Sequence, residues 1–149
     1  MMKVAVACDH AGFILKALAL ETVTSLGHDP IDLGTDSTEP VDYPDYAEAV
    51  GRAIQRGEAD RGLLICGSGV GAAVAACKLR GVRAGSCHDT YSARQAVEHD
   101  DVNVLSLGAR VIGEELAREL IKTFLTAHFT GEQRHLQRLA KVEALEQAG

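Results

Sequence analysis

The chain has 149 residues, the usual length of a single domain, and hydrophobic residues make up 46% of it and charged residues 24%, as in ordinary globular proteins. No apolar run is long enough to cross a membrane, and the net charge of −6 excludes a general basic surface for nucleic acid or anionic lipid. Any phosphate group must therefore be recognised by a few placed side chains.

Short apolar runs alternate with amphipathic stretches along the chain, which predicts strands alternating with helices. The predicted strands are residues 3–8, 31–33, 62–66, 82–87 and 102–107. The predicted helices are residues 13–26, 43–56, 72–79, 90–99 and 112–129. Because such strands need crossover connections, helices should cover both faces of a parallel sheet. The sequence predicts one domain over residues 1–149, a Rossmann-like three-layer α/β/α sandwich with a five-stranded parallel sheet.

A further helix is predicted in a carboxyl-terminal arm, about residues 130–148. Thr130 and Gln133 have the spacing of a capping box that starts this helix. Its apolar stripe consists of Leu136, Leu139, Val142 and Leu145. Since both faces of the sheet are already covered, we expect the arm to extend to a partner subunit. An arm that folds back on its own domain is the alternative.

The four cysteines are widely and irregularly spaced, and no two of them form a C-x-x-C pair. This pattern gives little support to a disulfide framework or a structural zinc site. The apolar run at the amino terminus leads directly into Asp9 and His10 and is too short for a secretory signal. We therefore expect a cytoplasmic protein.

The strongest local signal follows the third predicted strand, where Cys66 precedes three alternate glycines. Glycine there lets the backbone adopt positive φ and turn several N–H groups inward, while the next helix presents its positive end. We therefore expect an anion at this turn. At such an electropositive position a thiolate can act as a base or nucleophile. A buried, apolar cysteine beside a tight turn is the alternative.

Two other kinds of site have weaker signals. Asp89 lies about as far downstream of the glycines as a dinucleotide-binding loop requires, but the glycines lack the G-x-G-x-x-G spacing and follow the third strand. Cys8, His10, Cys87 and His88, with Asp89, could meet at adjacent strand ends and bind zinc. No short paired spacing supports that zinc site.

Arg134 and Arg138 lie one helical turn apart, so their guanidinium groups could close on one phosphate. A solvated helix face is the alternative for such a pair. The side chains that could join them are His10, Arg110 and His135. His99, at the end of a predicted helix, is a candidate acid or base, or else a partner of the helix dipole.

Motifs spread over nearly the whole chain are more specific together than any one alone. They are CDHAGF at residues 8–13, DYPDYA at 42–47, ICGSGVG at 65–71, CHDTYSA at 87–93, NVL at 103–105, LGARVIG at 107–113 and GEQRH at 131–135. Together they resemble the type B ribose-5-phosphate isomerases, a family that also includes allose-6-phosphate and galactose-6-phosphate isomerases.

The resemblance implies an aldose–ketose isomerase that interconverts ribose 5-phosphate and ribulose 5-phosphate through an enediolate, with no metal and no organic cofactor. It implies a homodimer with active sites shared between subunits, and leaves a tetramer open. By this likeness Cys66 is the base that moves the proton between C1 and C2, Ser68 assists it, and His99 opens the furanose ring. The amides that would hold the enediolate oxygen belong to Gly67, Gly69, Val70 and Gly71. The other implied contacts are Asp9 and Tyr43 to the sugar hydroxyls, and His10, Arg110, Arg134 and Arg138 to the phosphate.

Asp100 departs from the family's pattern, in which asparagine commonly follows the histidine. An ionised aspartate only accepts hydrogen bonds and would repel a developing enediolate, so it must turn away, be protonated or accept from a hydroxyl of a different sugar. This leaves open an isomerase of another aldose phosphate, such as allose 6-phosphate. Because a fold does not guarantee an activity, a non-catalytic sugar-phosphate-binding protein is a further alternative.

Overall fold

Near-continuous apolar runs form the three central strands of the sheet. In the computed structural model, which describes residues 1–149, β1 (Lys3–Cys8), β3 (Arg61–Cys66) and β5 (Val104–Gly108) are buried along almost their whole length. This is the pattern of parallel strands covered on both faces. The edge strands β2 (Asp29–Asp32) and β4 (Ala84–Ser86) are shorter and partly exposed. All five strands are parallel, in the order β2-β1-β3-β5-β4.

Helices cover both faces of this sheet, so the predicted three-layer fold is confirmed. They are a 3-10 turn at Phe13–Leu15 and the helices α1 (Lys16–Ser25), α2 (Tyr43–Gln55), α3 (Val70–Ala76), α4 (Thr90–Asp100), α5 (Glu114–Thr126) and α6 (Gln133–Ala148). Side chains of β1 alternate between the two layers. Val4 and Val6 join a core with α1, α4 and α5, whereas Ala5 and Ala7 join a smaller core with α2 and α3. No helix is long and apolar enough to span a membrane.

Some predicted boundaries differ from the observed ones. β2 begins at Asp29 rather than residue 31, because residues 29–32 pair with β1 at the sheet edge, where Pro30 is tolerated. The third helix begins at Val70 and ends at Ala76, so it starts within the glycine motif. The predicted helix over residues 13–26 begins with the 3-10 turn before α1.

The carboxyl-terminal helix is present, but its predicted capping box is wrong. Glu132 is the N-cap and its side chain makes no cap bond. Gly131 turns the chain with φ of +67°. The Thr130 hydroxyl instead accepts the Glu132 N–H at 3.3 Å, outside the helix. Three residues of the predicted stripe remain exposed on the chain's own surface, namely Leu136, Val142 and Leu145.

The topology creates a crevice at the carboxyl edge of the sheet. After β1 the chain crosses to β2 at one side of the sheet, whereas after the neighbouring strand β3 it crosses to β4 and β5 at the other side. Neighbouring strands that diverge in this way leave a gap beyond their carboxyl ends, where ligands bind in open α/β sheets. Asp9 follows β1 and Cys66 ends β3, so both lie at this crevice.

Candidate active site

The crevice holds a cleft of about 380 Å³. Its lining residues come from the segments that follow three strands and from the start of α2: Asp9, Tyr43, Cys66, Gly67, Ser68, Gly71, Arg110 and Val111. Seven of these eight were predicted as site residues from the sequence, the exception being Val111. One cleft therefore brings together the predicted base, its serine, an arginine and two of the glycines.

The Cys66 thiol is tied to the glycine turn. Its sulfur accepts a hydrogen bond from the Gly69 N–H at 3.2 Å. Ser68 is exposed, and its hydroxyl accepts the Val70 N–H at 3.2 Å. The two bonds hold both side chains against the backbone of the turn.

The other cysteines lie in different environments. Burial raises the pKa of Cys8 to about 11, and burial together with nearby Asp89 raises the pKa of Cys87. Cys77 is exposed, and its sulfur accepts the Ala84 N–H at 3.3 Å. All four thiols are free, and Cys66 alone lines the cleft at the crevice.

The alternate glycines serve different purposes, which corrects the expectation of positive φ along the motif. Only Gly69 has positive φ, at +81°. Gly71 provides room, because a Cβ there would lie 2.7 Å from the Tyr43 ring. At Gly67 a Cβ would come within 3.4 Å of an Arg110 guanidinium nitrogen. Two glycines thus let a tyrosine and an arginine approach the turn.

Asp9 and His10 are held by backbone groups at the start of the cleft. Asp9 is buried, and its carboxylate accepts the Gly12 N–H at 3.0 Å. The Nδ1 of His10 accepts the Val41 N–H at 3.1 Å, which leaves Nε2 as the nitrogen that can donate to a ligand. His10 does not line the cleft itself.

The turn after β5 is joined to the glycine turn by its backbone. The N–H groups of Ala109 and Arg110 donate to the carbonyls of Cys66 and Gly67, at 2.8 and 3.1 Å. His88 supports the same turn, because its Nε2 accepts the Gly108 N–H at 2.9 Å. The sequence suggested His88 as a possible zinc ligand and as part of the CHDTYSA motif, but not as a support of this turn. No group of three His, Cys, Asp or Glu side chains is arranged to hold a metal ion, so the zinc alternative has no support.

The remaining predicted residues lie elsewhere in the chain. Helix α4 starts beyond the carboxyl end of β4 and ends just before the amino end of β5, so its last residues, His99 and Asp100, lie at the opposite edge of the sheet from Cys66. Asp100 and Arg138 line a second cleft of about 730 Å³ between α6 and β4. Within one chain, the expected meeting of Arg134 and Arg138 with His10 and Arg110 therefore does not occur.

The residues at this opposite edge form a second group, His99, Asp100, Arg134, His135 and Arg138, which contains a stacked histidine pair. The rings of His99 and His135 are stacked, with centroids 4.1 Å apart and planes inclined by 19°. Arg134 donates to Glu132 at 3.0 Å. Arg110 in the first group and Arg138 in the second form no salt bridge. Each group thus offers a guanidinium that is free to bind an anion.

Known proteins of one family match the chain over nearly its full length. A family model described as Ribose/Galactose Isomerase matches residues 4–142. Ribose-5-phosphate isomerase B of Escherichia coli is 46% identical, over 99% of this chain and 98% of that protein. D-erythrulose-4-phosphate isomerase of Pectobacterium atrosepticum is 42% identical, over 88% of this chain and 87% of that protein.

A solved structure agrees with both the fold and the sequence. Ribose-5-phosphate isomerase B of Clostridium thermocellum superposes with a TM-score of 0.95 at 42% identity, covering 99% of both chains. At this identity and coverage, the likeness extends over nearly the whole chain. The chain therefore belongs to the ribose/galactose isomerase family.

Proposed function

We propose that the protein is an aldose–ketose isomerase that interconverts ribose 5-phosphate and ribulose 5-phosphate, with Cys66 as the base. The similarity to ribose-5-phosphate isomerase B of E. coli supports this substrate. The observation that carries the proposal is the Cys66 sulfur, 3.2 Å from the Gly69 N–H, in a cleft also lined by Asp9 and Arg110. The four free thiols suit a reducing compartment, and we assign the protein to the cytoplasm.

The reaction transfers one proton between neighbouring carbons. The Cys66 thiolate removes the proton from C2 of the open-chain aldose, and the electrons of that bond form a C1–C2 double bond while O1 becomes an oxyanion. The thiol then returns the proton to C1, and the hydroxyl proton passes from O2 to O1, which gives the ketose. Amides of Gly67 and Gly71 hold the oxyanion, and those of Gly69 and Val70 join them by turning from their bonds to Cys66 and Ser68. Each such donor is worth about 2.7–4 kcal/mol of barrier.

Binding energy far from the reacting carbons positions them beside the thiol. The phosphate is held by His10 and Arg110 on one side and by Arg134 and Arg138 on the other. Asp9 and Tyr43 contact the sugar hydroxyls. Contacts of this kind convert remote binding into correct placement of C1 and C2.

The active site is completed by a second copy of the chain. His99, Asp100, Arg134 and Arg138 lie too far around the molecule to serve Cys66 of their own chain, so they serve the Cys66 of the partner. A two-fold dimer then builds two identical sites, each from the crevice of one subunit and the second group of the other. His99 opens the furanose ring before the thiol acts.

Exposed apolar surface supports this dimer. Val70 and Val74 on α3 are each 57% exposed, and Leu145 on α6 is 75% exposed. The cleft of about 730 Å³ beside α6 is lined by further apolar residues, among them Leu139 and Val142. Such a concentration of exposed apolar side chains marks a contact surface in a soluble protein.

The test of the base is the Cys66→Ala variant, assayed for isomerisation of ribose 5-phosphate. We expect turnover to fall on the order of 10⁴-fold. Folding and binding of ribose 5-phosphate, followed by circular dichroism and calorimetry, should remain. Cys8→Ala is the matched control, because that thiol is also buried but lines neither cleft, and the folded variant should keep its activity. Unchanged turnover in Cys66→Ala would refute the assignment.

D-erythrulose 4-phosphate is a second candidate substrate, favoured by the 42% identity to the Pectobacterium protein. Its aldose has the same reacting carbons but cannot form a furanose ring, since O4 carries the phosphate. Values of kcat/KM for ribose 5-phosphate, allose 6-phosphate and erythrose 4-phosphate separate the possibilities. Binding of these sugars without proton exchange at C2 would instead indicate a non-catalytic binding protein.

A further inference from the structure

The only buried residue of α6 is a histidine. His135 is 3% exposed, although apolar neighbours on the same helix, such as Leu136 and Val142, are 45% and 53% exposed. A helix that exposes Leu136 and Leu145 and buries an imidazole has not been arranged for apolar burial within its own chain alone. The side chain that His135 packs against is the ring of His99.

The burial of His135 has a cost that an apolar residue would avoid. Its Nε2 is buried without a hydrogen-bond partner, and the nearest carboxylate oxygen, of Glu132, is 3.8 Å away. Burial, with further effects from His99 and Arg134, lowers the pKa of His135. The lowered pKa favours the uncharged form of the ring, which is stacked on His99.

The two rings are carried by segments fixed to each other. The Thr130 N–H, just before α6, donates to the Glu98 carbonyl at 3.0 Å near the end of α4. The His99 side chain lies at a helix end and is partly exposed, so its ring would otherwise rotate among several orientations. A flat ring stacked at 4.1 Å restricts the plane that His99 can occupy.

We propose that His135 is a positioning residue, whose stacked ring holds the imidazole of His99 in the orientation that opens the furanose ring of the substrate. The inference rests on the proposed function. Ring opening breaks the C1–O4 bond, whose electron pair goes to O4. O4 gains a proton, and the C1 hydroxyl loses one as C1 becomes an aldehyde, so the total number of protons is unchanged. The imidazole that delivers the proton to O4 must face that atom closely.

The two directions of the reaction separate this role from a general structural one. Ribose 5-phosphate binds as a furanose and must be opened, whereas ribulose 5-phosphate cannot close a furanose ring, because its O5 carries the phosphate. Exchange of the C1 proton of ribulose 5-phosphate with D₂O, followed by NMR, therefore needs Cys66 but no ring opening. Loss of a residue that acts only through His99 should slow the isomerisation of ribose 5-phosphate and leave the C1 proton exchange of ribulose 5-phosphate unchanged.

Three variants distinguish a ring from a mere space filler: His135→Phe, His135→Leu and His135→Gln. The Leu and Gln variants should lose about 10-fold or more in kcat for ribose 5-phosphate, as partial misplacement of a proton donor does. Their C1 proton exchange should stay within about 3-fold of the unmodified protein, because the base and the amides are untouched. The Phe variant, which keeps a flat ring, should retain most of the kcat. Thermal unfolding of each variant checks that it folds. If the Leu variant does not fold, comparison of the Phe and Gln variants is sufficient for the test.

Equal losses in isomerisation and C1 exchange would overturn the inference, since they would mean a structural role. Full activity in both ringless variants would overturn it as well. Failure of the proposed function looks different, because the unmodified protein would then exchange no C1 proton at all.

Discussion

Gly71 lies in the glycine turn beside Tyr43, a proposed contact of the sugar. It has no positive φ, so its lack of a side chain matters only for the space it leaves to Tyr43. The sequence motif predicted an anion site at this turn, but spacing alone could not distinguish a glycine needed for its φ from one needed for room. That distinction depends on Tyr43, which lies far away in the sequence.

Gly71→Ala should disturb the site and leave the fold intact. The new Cβ would lie 2.7 Å from the Tyr43 ring, and because that side chain is 41% exposed, the ring can move outward, away from the sugar. We expect kcat/KM for ribose 5-phosphate to fall about 10-fold, with little change in thermal midpoint. Gly113→Ala is the control, since nothing lies within 4 Å of its added Cβ. Equal activity of the two variants would contradict this account of Gly71.

Asp100 stands where the resemblance to type B isomerases leads us to expect asparagine. Its side chain is exposed and lines the cleft beside α6. An ionised carboxylate near the enediolate would oppose the charge that develops there, whereas an amide could donate to it. Asp100→Asn should therefore keep or raise the turnover of ribose 5-phosphate in the isomerisation assay. A large loss would give the carboxylate a positive role and favour a different sugar.

At the scale of the elements, the alternation of strands and helices made most of the fold predictable. All five strands and their parallel arrangement followed from short apolar runs separated by helices. The same alternation implies that α4 ends at the edge opposite Cys66, so the separation of His99 from the thiol was available from the order of elements. The stacking of His99 on His135 was not, because it depends on how α6 packs against the end of α4.

Local signals failed where the tertiary structure provided another partner. Thr130 and Gln133 have capping-box spacing, yet the segment at Thr130 is used to bond the Glu98 carbonyl, and the helix begins later. The turn between β5 and α5 shows the same dependence. Its backbone bonds to the glycine turn and to His88, contacts between residues distant in sequence. Such contacts leave no periodic pattern in the amino-acid sequence.

Strand β1 carries a thiol whose ionisation should limit stability in alkali. Burial raises the pKa of Cys8 from its ordinary 9.0 to about 11, so folding favours the neutral thiol. The stabilisation is complete below pH 9.0 and is lost as pH rises toward 11. The free energy of unfolding should fall by up to about 3 kcal/mol across this range, as measured by urea titration.

The Cys8→Ala variant provides the comparison for that measurement. Its stability should be lower at neutral pH, because a buried side chain is shortened, but its decline above pH 9.0 should be shallower. Cys87, whose pKa is also raised, contributes part of the slope that remains. An identical decline in the two proteins would show that Cys8 is not responsible.

At the scale of the whole molecule, the site residues fall into two groups at opposite edges of one sheet. The crevice contributes the proposed base and amides and one free arginine, and the other edge contributes the histidine pair, Asp100 and Arg138. Neither group alone can open a sugar ring, move the proton and hold the phosphate. The exposed apolar residues of α3 and α6 provide surface through which two copies could bring the groups together.

Subunit mixing tests this composite site most directly. Cys66→Ala and His99→Ala, each inactive alone with ribose 5-phosphate, are co-refolded and the isomerase activity of the mixture is measured. Half of the dimers should be mixed, and each mixed dimer contains one site with both Cys66 and His99 intact. We expect the mixture to recover about a quarter of the unmodified activity. No recovery, although mixed dimers are detected by mass spectrometry, would contradict it.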